Sequence, residues 1–91
     1  MLFTVRDEID EPTVEMAINQ LEILARRDYI AMSEYEYREE HDADGNPIWF
    51  VSCKVEGFDF IASINSSSKK KAKKQAALEM LNYVLENYEE G

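Results

Sequence analysis

Residues 66–77 read Ser-Ser-Ser-Lys-Lys-Lys-Ala-Lys-Lys-Gln-Ala-Ala, and this stretch decides how the rest of the chain is interpreted. The serines are favoured helix N-caps, with Ser67 or Ser68 expected in that role, and apolar residues then recur at helical spacing to about residue 88. The lysines break a local rule, because the positive end of the helix dipole disfavours cations in the first turns. A bound anion would resolve this conflict, and local conflicts of this kind often mark functional sites.

Three stretches upstream of this helix alternate apolar and polar residues at the period of a β-strand. They cover about residues 34–39, 49–55 and 58–64, and turn-forming residues at 42–47 and 56–57 separate them. Before them, Thr13 is expected to cap an amphipathic helix at about 14–27. The sequence therefore predicts an α+β domain of order α-β-β-β-α, in which two helices pack on one face of a three-stranded antiparallel sheet.

The charge distribution describes a local basic site on an acidic body. The 91 residues carry a net charge of −9, yet five of the ten basic residues fall between positions 69 and 74. We interpret residues 1–11 as an acidic N-terminal arm, 12–88 as the domain and 89–91 as a tail. No apolar run approaches the roughly 18 residues of a membrane span, so no membrane partner is expected. The lone cysteine allows no internal disulfide, which favours a cytoplasmic location.

A family resemblance enters with residues 68–77, which are similar to the Ser-Lys-Lys-x-Ala-Lys-x-x-Ala-Ala signature of double-stranded RNA-binding domains (dsRBDs). In that family the signature opens the second helix of an α-β-β-β-α fold, so the resemblance covers about residues 12–88. It implies a partner, double-stranded RNA, that is recognised by shape more than by sequence. By this likeness Lys69, Lys70 and Lys73 hold phosphates across the major groove, and Lys74 assists.

Two further regions of the family's RNA contact have weaker counterparts here. The segment 18–21, Ile-Asn-Gln-Leu, resembles the family's Leu-Asn-Glu-Leu, which implies that Gln20 contacts ribose hydroxyls in a minor groove. The loop at residues 42–47 lacks the Gly-Pro-x-His that the family often carries there. Asn46 remains the candidate for a ribose contact, while Asp42 and Asp44 would face phosphates unfavourably.

Enzymatic interpretations find little support in the residue pattern. A Cys–His nucleophile pair would have to combine Cys53 and His41, the only residues of their types. Cys53, however, alternates with apolar strand residues and is expected in the core. The carboxylates are dispersed over tails and strand edges, where a metal-dependent nuclease would need a cluster. We therefore expect a non-catalytic domain with no catalytic residues, no metal, no cofactor and no small-molecule substrate.

An alternative from a different class is a protein-interaction or homodimerisation module on the same fold, with weak or lost RNA binding. The net charge, the missing loop motif and two apolar residues near Gln20, Met16 and Ile23, favour this alternative. The lysine signature favours RNA. A third interpretation is that the domain is an accessory piece of a larger RNA-processing enzyme.

Overall fold

The computed structural model describes residues 12–87, so the expected arm at 1–11 and tail at 89–91 lie outside the described residues. The elements are α1 (Ala17–Arg26), β1 (Ser33–His41), β2 (Pro47–Val55), β3 (Ile61–Ser66) and α2 (Lys69–Asn87). This order confirms the predicted α-β-β-β-α arrangement. Within residues 12–87, neither helix combines the length and apolar character needed to cross a membrane.

The three strands form one antiparallel sheet in the order β1-β2-β3. Its register pairs Tyr35 with Cys53 and Cys53 with Ala62, so these three side chains share one face. Cys53 and Ala62 are fully buried in a core that also contains the apolar faces of both helices. Both helices therefore cover the same face of the sheet, as predicted. The other face, here called the open face, carries alternate residues of the same strands, among them Glu34, Glu36, Arg38, Phe50 and Lys54.

The core gives Cys53 the structural role that its strand position predicted. The side chain is fully buried, and burial raises the pKa of the thiol to about 11. Burial likewise raises the pKa of Tyr35, its cross-strand neighbour, to about 12. At neutral pH both groups are protonated, and the thiol is poorly suited to nucleophilic chemistry.

The first helix is shorter than the predicted range of about 14–27. Residues 14–16 form a turn, and Thr13 accepts a hydrogen bond at Oγ1 from the Met16 N–H (3.2 Å) before α1 begins at Ala17. The prediction that Thr13 caps this helix is therefore wrong: its hydroxyl accepts within the preceding turn, and the N-cap of α1 is Met16, which makes no side-chain capping hydrogen bond. At the other end, Asp28 adopts a left-handed φ of 62°, and the chain then enters β1.

The third strand differs from the prediction of about residues 58–64, because it spans Ile61–Ser66. Phe58 and Phe60 lie in the connection from β2, after Gly57 turns the chain with a φ of 98°. Both rings pack against Tyr83 of α2, Phe60 stacked at 4.7 Å and Phe58 edge-on at 6.0 Å between centroids. Their alternation with polar residues reflects packing on the helix and not membership of the strand.

Candidate nucleic-acid interface

Serine side chains fix the start of α2. Ser68 accepts a hydrogen bond at Oγ from the Lys71 N–H (3.3 Å), and its carbonyl accepts from the Ala72 N–H (3.0 Å). Ser66 in turn accepts at Oγ from the Ser68 N–H (3.2 Å). Ser68 is therefore the cap, one of the two predicted serines. This cap places the lysine cluster, defined as Lys69, Lys70, Lys71, Lys73 and Lys74, in the first two turns of α2.

Two members of the lysine cluster lie over aromatic rings of the sheet. The Lys69 Nζ is 4.4 Å from the centroid of the Tyr37 ring and 5.1 Å from that of Trp49. The Lys73 Nζ is 4.7 Å from the centroid of the Tyr35 ring. These distances lie within the range of cation–π attraction, in which the negative face of a ring stabilises an ammonium group. The rings thus offset part of the penalty that the helix dipole imposes on cations at this end.

We call the rings of Tyr35, Tyr37 and Trp49 the aromatic row, and sequence reasoning missed its role. The period-two placement of the tyrosines predicts a structural role in sheet packing, which is correct for Tyr35, a ring packed against the core. Tyr37, in contrast, is 39% exposed. The signal in the sequence was the period-two spacing of Tyr35 and Tyr37, which places both on the helix-covered face of β1.

Lys74 is held by a carboxylate of the turn before α1. Its Nζ lies 2.9 Å from Oε2 of Glu15, and the Lys74 side chain is 27% exposed. The hydrogen bond and charge of Lys74, with a smaller effect of Lys70, lower the pKa of Glu15. The predicted assistance of Lys74 to phosphate binding therefore meets a competing intramolecular partner. Lys70 is solvent-exposed at the same end of α2.

Gln20 lies on α1, the helix whose other face packs against α2 through Ala17, Leu21 and Leu24. Its side chain is half-buried, and its Oε1 atom is shielded from solvent. The predicted ribose contact of Gln20 stays a prediction. The neighbouring Met16 and Ile23 are exposed by 47% and 36%, so a surface with apolar character surrounds Gln20 on this helix.

The loop between β1 and β2 is organised by Asp42. Its Oδ1 accepts hydrogen bonds from the N–H groups of Asp44 and Asn46, both at 2.9 Å. These bonds, that from Asn46 foremost, lower the pKa of Asp42. Gly45 completes the loop with a φ of 83°. Asp42, which was expected to face phosphate unfavourably, thus accepts hydrogen bonds from the backbone of its own loop. This role is typical of Asp at the start of a turn, but it was not predicted from the sequence.

Asn46 is exposed at the end of this loop, next to the start of β2. Trp49 follows three residues later on β2 and lies under Lys69. The hairpin loop therefore lies at the end of β1 and β2 that is nearest the start of α2, and the ribose contact of Asn46 stays a prediction.

Cys53 and His41, which would have to form any Cys–His nucleophile pair, lie far apart along the strands. Cys53 pairs with Tyr35, and His41 lies six positions further along β1, opposite Pro47. His41 is exposed, whereas Cys53 is buried. Across residues 12–87, no group of three or more His, Cys, Asp and Glu side chains is placed to hold a metal ion. A depression of about 700 Å³ is lined mainly by residues of the open face, such as Glu36, Arg38 and Phe50, and by none of the lysine cluster.

Comparison with known proteins agrees with the fold and the signature. A family model described as the double-stranded RNA binding motif matches residues 17–84, from the start of α1 to the last turn of α2. That range contains all three strands and the lysine cluster.

Two curated relatives align with nearly the whole chain. A protein named Ribonuclease 3 from Roseburia hominis is 54% identical over 86 residues, which cover 94% of this chain and 24% of that protein. A second, also named Ribonuclease 3, from Treponema succinifaciens, is 30% identical over 86 residues, covering 90% of this chain and 23% of that protein. The chain thus spans about a quarter of the length of these relatives.

Proposed function

The chain belongs to the double-stranded RNA binding motif family, and from this premise we propose that it binds duplex RNA through the lysine cluster at the start of α2. Lys69, Lys70 and Lys73 hold phosphates on either side of the major groove. A domain of this kind spans about 16 base pairs and contacts riboses in the two flanking minor grooves. Gln20 of α1 and Asn46 of the hairpin loop are the proposed ribose contacts. Because base edges are poorly accessible in A-form RNA, the domain recognises shape more than sequence.

One observation carries this proposal: the ammonium groups of Lys69 and Lys73 are held side by side over the aromatic row, next to a capped helix N-terminus. The first-turn N–H groups and the lysine side chains present donors and positive charge at the same end of the helix. Among the described residues, Glu15 contacts Lys74 of this cluster, whereas Asp42 binds backbone groups of its own loop.

The domain acts by binding, without catalytic residues of its own, as one part of a longer RNA-processing protein. Support comes from the two relatives named Ribonuclease 3, of which the chain matches about a quarter. In such a protein, the domain would hold the duplex while a segment outside the match performs the cleavage. A direct check is incubation of the isolated chain with duplex RNA and divalent metal, in which intact RNA is expected and cleavage products would contradict the proposal.

The binding site is tested by titration of the 91-residue chain with a duplex RNA of about 20 base pairs at several salt concentrations, with the matching DNA duplex as a control. The double charge reversal Lys69→Glu and Lys70→Glu is expected to weaken binding by about 100-fold or more at low salt, because it replaces attraction to phosphates by repulsion.

The matched control is the double variant Arg38→Glu and Lys54→Glu, which changes the net charge equally but on the open face. It is expected to weaken binding by less than about fivefold, since its charges are separated from the RNA by the sheet. Equal losses in the two variants would show that net charge, and not the lysine cluster, governs binding.

A second candidate function, a protein-interaction or homodimer module, is favoured by the exposure of Met16 and Ile23 on α1. If this candidate is correct, the chain should self-associate with increasing concentration in sedimentation experiments, and Met16→Lys should abolish that association. A monomer at all concentrations would remove the homodimer from consideration.

A further inference from the structure

Where α2 meets β1, residues four apart on the helix have nearly the same spacing as residues two apart on the strand. Four helical residues rise about 6 Å, and two strand residues span about 6.8 Å. Lys69 and Lys73 therefore have the same spacing as Tyr37 and Tyr35, and each ammonium group meets one tyrosine ring. This match pairs two lysines that are four residues apart on α2 with two rings that are two residues apart on β1.

Lys69 has a second ring because of the strand register. Tyr37 pairs with Val51, so Trp49 is its diagonal neighbour on the same face of the adjacent strand. The Lys69 Nζ lies 4.4 Å from the Tyr37 centroid and 5.1 Å from the Trp49 centroid, so both rings attract a single ammonium group. Lys69 nevertheless remains solvent-exposed, so the ammonium group is available to a ligand while it contacts the rings.

From this geometry we propose that Tyr37 and Trp49 are positioning residues for RNA: they hold the Lys69 ammonium group where a phosphate will bind, without contacting the RNA themselves. A lysine that is free in solvent loses much rotamer entropy when it binds a phosphate. A lysine already held over two rings has lost part of that freedom in the unbound protein, so less is lost on binding. An ammonium group has three donors, and the rings leave donors free for phosphate oxygens. This inference rests on the proposed function.

The test is a double-mutant cycle between Tyr37 and Lys69, measured as the affinity for the same duplex RNA. Tyr37→Leu removes the ring from a partly exposed position and is expected to weaken binding about three- to tenfold, the range of a cation–π contact. Tyr37→Phe keeps the ring and is expected to bind within about twofold of the unsubstituted chain. In the background of Lys69→Gln, Tyr37→Leu is expected to have no further effect, because the charge that the ring positions is absent.

Phe50→Leu is the matched control, since Arg38 lies over the Phe50 ring at 4.8 Å on the open face, away from the lysine cluster. It removes a contact of the same kind and is expected to leave RNA affinity unchanged. Thermal unfolding of each variant identifies any loss of fold. Equal affinities of the Tyr37→Leu and Phe50→Leu variants would overturn the positioning role, as would an undiminished effect of Tyr37→Leu in the Lys69→Gln background.

The fluorescence of Trp49, the only tryptophan of the chain, gives a readout that does not need RNA. Lys69→Gln is expected to change its emission in the free protein, whereas Lys54→Gln on the open face is not. If Lys69→Gln weakens RNA binding while Tyr37→Leu does not, the positioning role fails and the proposed function stands. If the unsubstituted chain binds no duplex RNA even at low salt, both fail together.

Discussion

Glu15 is an acidic side chain in direct contact with the lysine cluster, and its removal is expected to strengthen RNA binding. Its Oε2 atom lies 2.9 Å from the Lys74 Nζ, and its negative charge also attracts Lys70. In the proposed binding mode, Glu15→Gln would free Lys74 for phosphate and remove a negative charge beside the duplex. The expected gain is about two- to fivefold at low salt, on the scale of one exposed ion pair, with a steeper dependence of affinity on salt.

Glu79→Gln is the control for this prediction, because it changes the net charge by the same amount on the exposed side of α2, away from its first turns. Titration with duplex RNA at two or more salt concentrations compares the variants. The same gain in both would mean that Glu15 acts only through net charge and that Lys74 does not reach the RNA.

The acidic residues Asp42 and Glu15 differ in the groups that they bind. Asp42 accepts hydrogen bonds from two backbone N–H groups of its own loop, whereas Glu15 pairs with a lysine side chain across the fold. Neutralising Asp42 would therefore disturb the hairpin loop that carries Asn46, and a change in RNA affinity there would report loop geometry as much as charge. Glu15 is the cleaner position for testing electrostatics.

At the scale of the elements, the C-terminal end of α1 offers a stabilising substitution. The Tyr29 N–H donates to the Leu24 carbonyl (3.0 Å) and the Asp28 N–H to the Ala25 carbonyl (3.1 Å), the pattern of a Schellman motif. Asp28 occupies its left-handed position with a φ of 62°, where glycine is favoured. Its negative charge also lies just after the C-terminal, negative end of the helix dipole.

Asp28→Gly is therefore expected to raise the free energy of unfolding by about 0.5–1 kcal/mol, after the larger entropy of glycine in the unfolded chain is subtracted. For a domain of this size, thermal unfolding should shift upward by about 2–8 °C. Asp28→Asn separates the charge from the backbone effect, since asparagine tolerates the conformation without the charge. Asp28→Ala is expected to destabilise, and a rise in Tm for this variant would contradict the backbone explanation.

Element order and the start of α2 could be predicted from the sequence, because both depend on local signals. Apolar spacing indicated helices and strands, and the serine triplet with the lysines after it indicated Ser67 or Ser68 as the cap. The start of β3 could not be predicted, since Phe58 and Phe60 alternate like strand residues but pack on Tyr83, a contact over a long sequence separation. The aromatic row was missed for a similar reason: Trp49 lies under Lys69 only because of the register between β1 and β2.

At the scale of the whole molecule, the acidic body and the basic site act over different distances. The chain carries 19 acidic residues against 10 basic ones, so an RNA that approaches the proposed site would first be repelled by the protein as a whole. This repulsion is long-ranged at low salt, with a screening length of about 30 Å at 0.01 M, and falls to about 3 Å at 1 M. The proposed contacts at the start of α2 would act only after the RNA has arrived.

This difference predicts the behaviour of the double variant Glu34→Gln and Glu36→Gln. Both residues are exposed on the open face, where their cross-strand neighbours are Lys54 and Ser52, so neither faces the lysine cluster. Removing two negative charges should accelerate association with duplex RNA by about two- to threefold at 0.01 M salt, because steering depends on the field of the whole protein. The dissociation rate should not change.

Stopped-flow association at 0.01 M and 1 M salt checks this prediction, with Ser63→Asn as an uncharged substitution on the same face. The gain should vanish at 1 M salt, because screening then confines each charge to its immediate neighbours. A gain that persists at 1 M, or a slower dissociation, would mean that the open face itself contacts the RNA. The binding surface would then extend around the sheet, and the lysine cluster would be only one part of it.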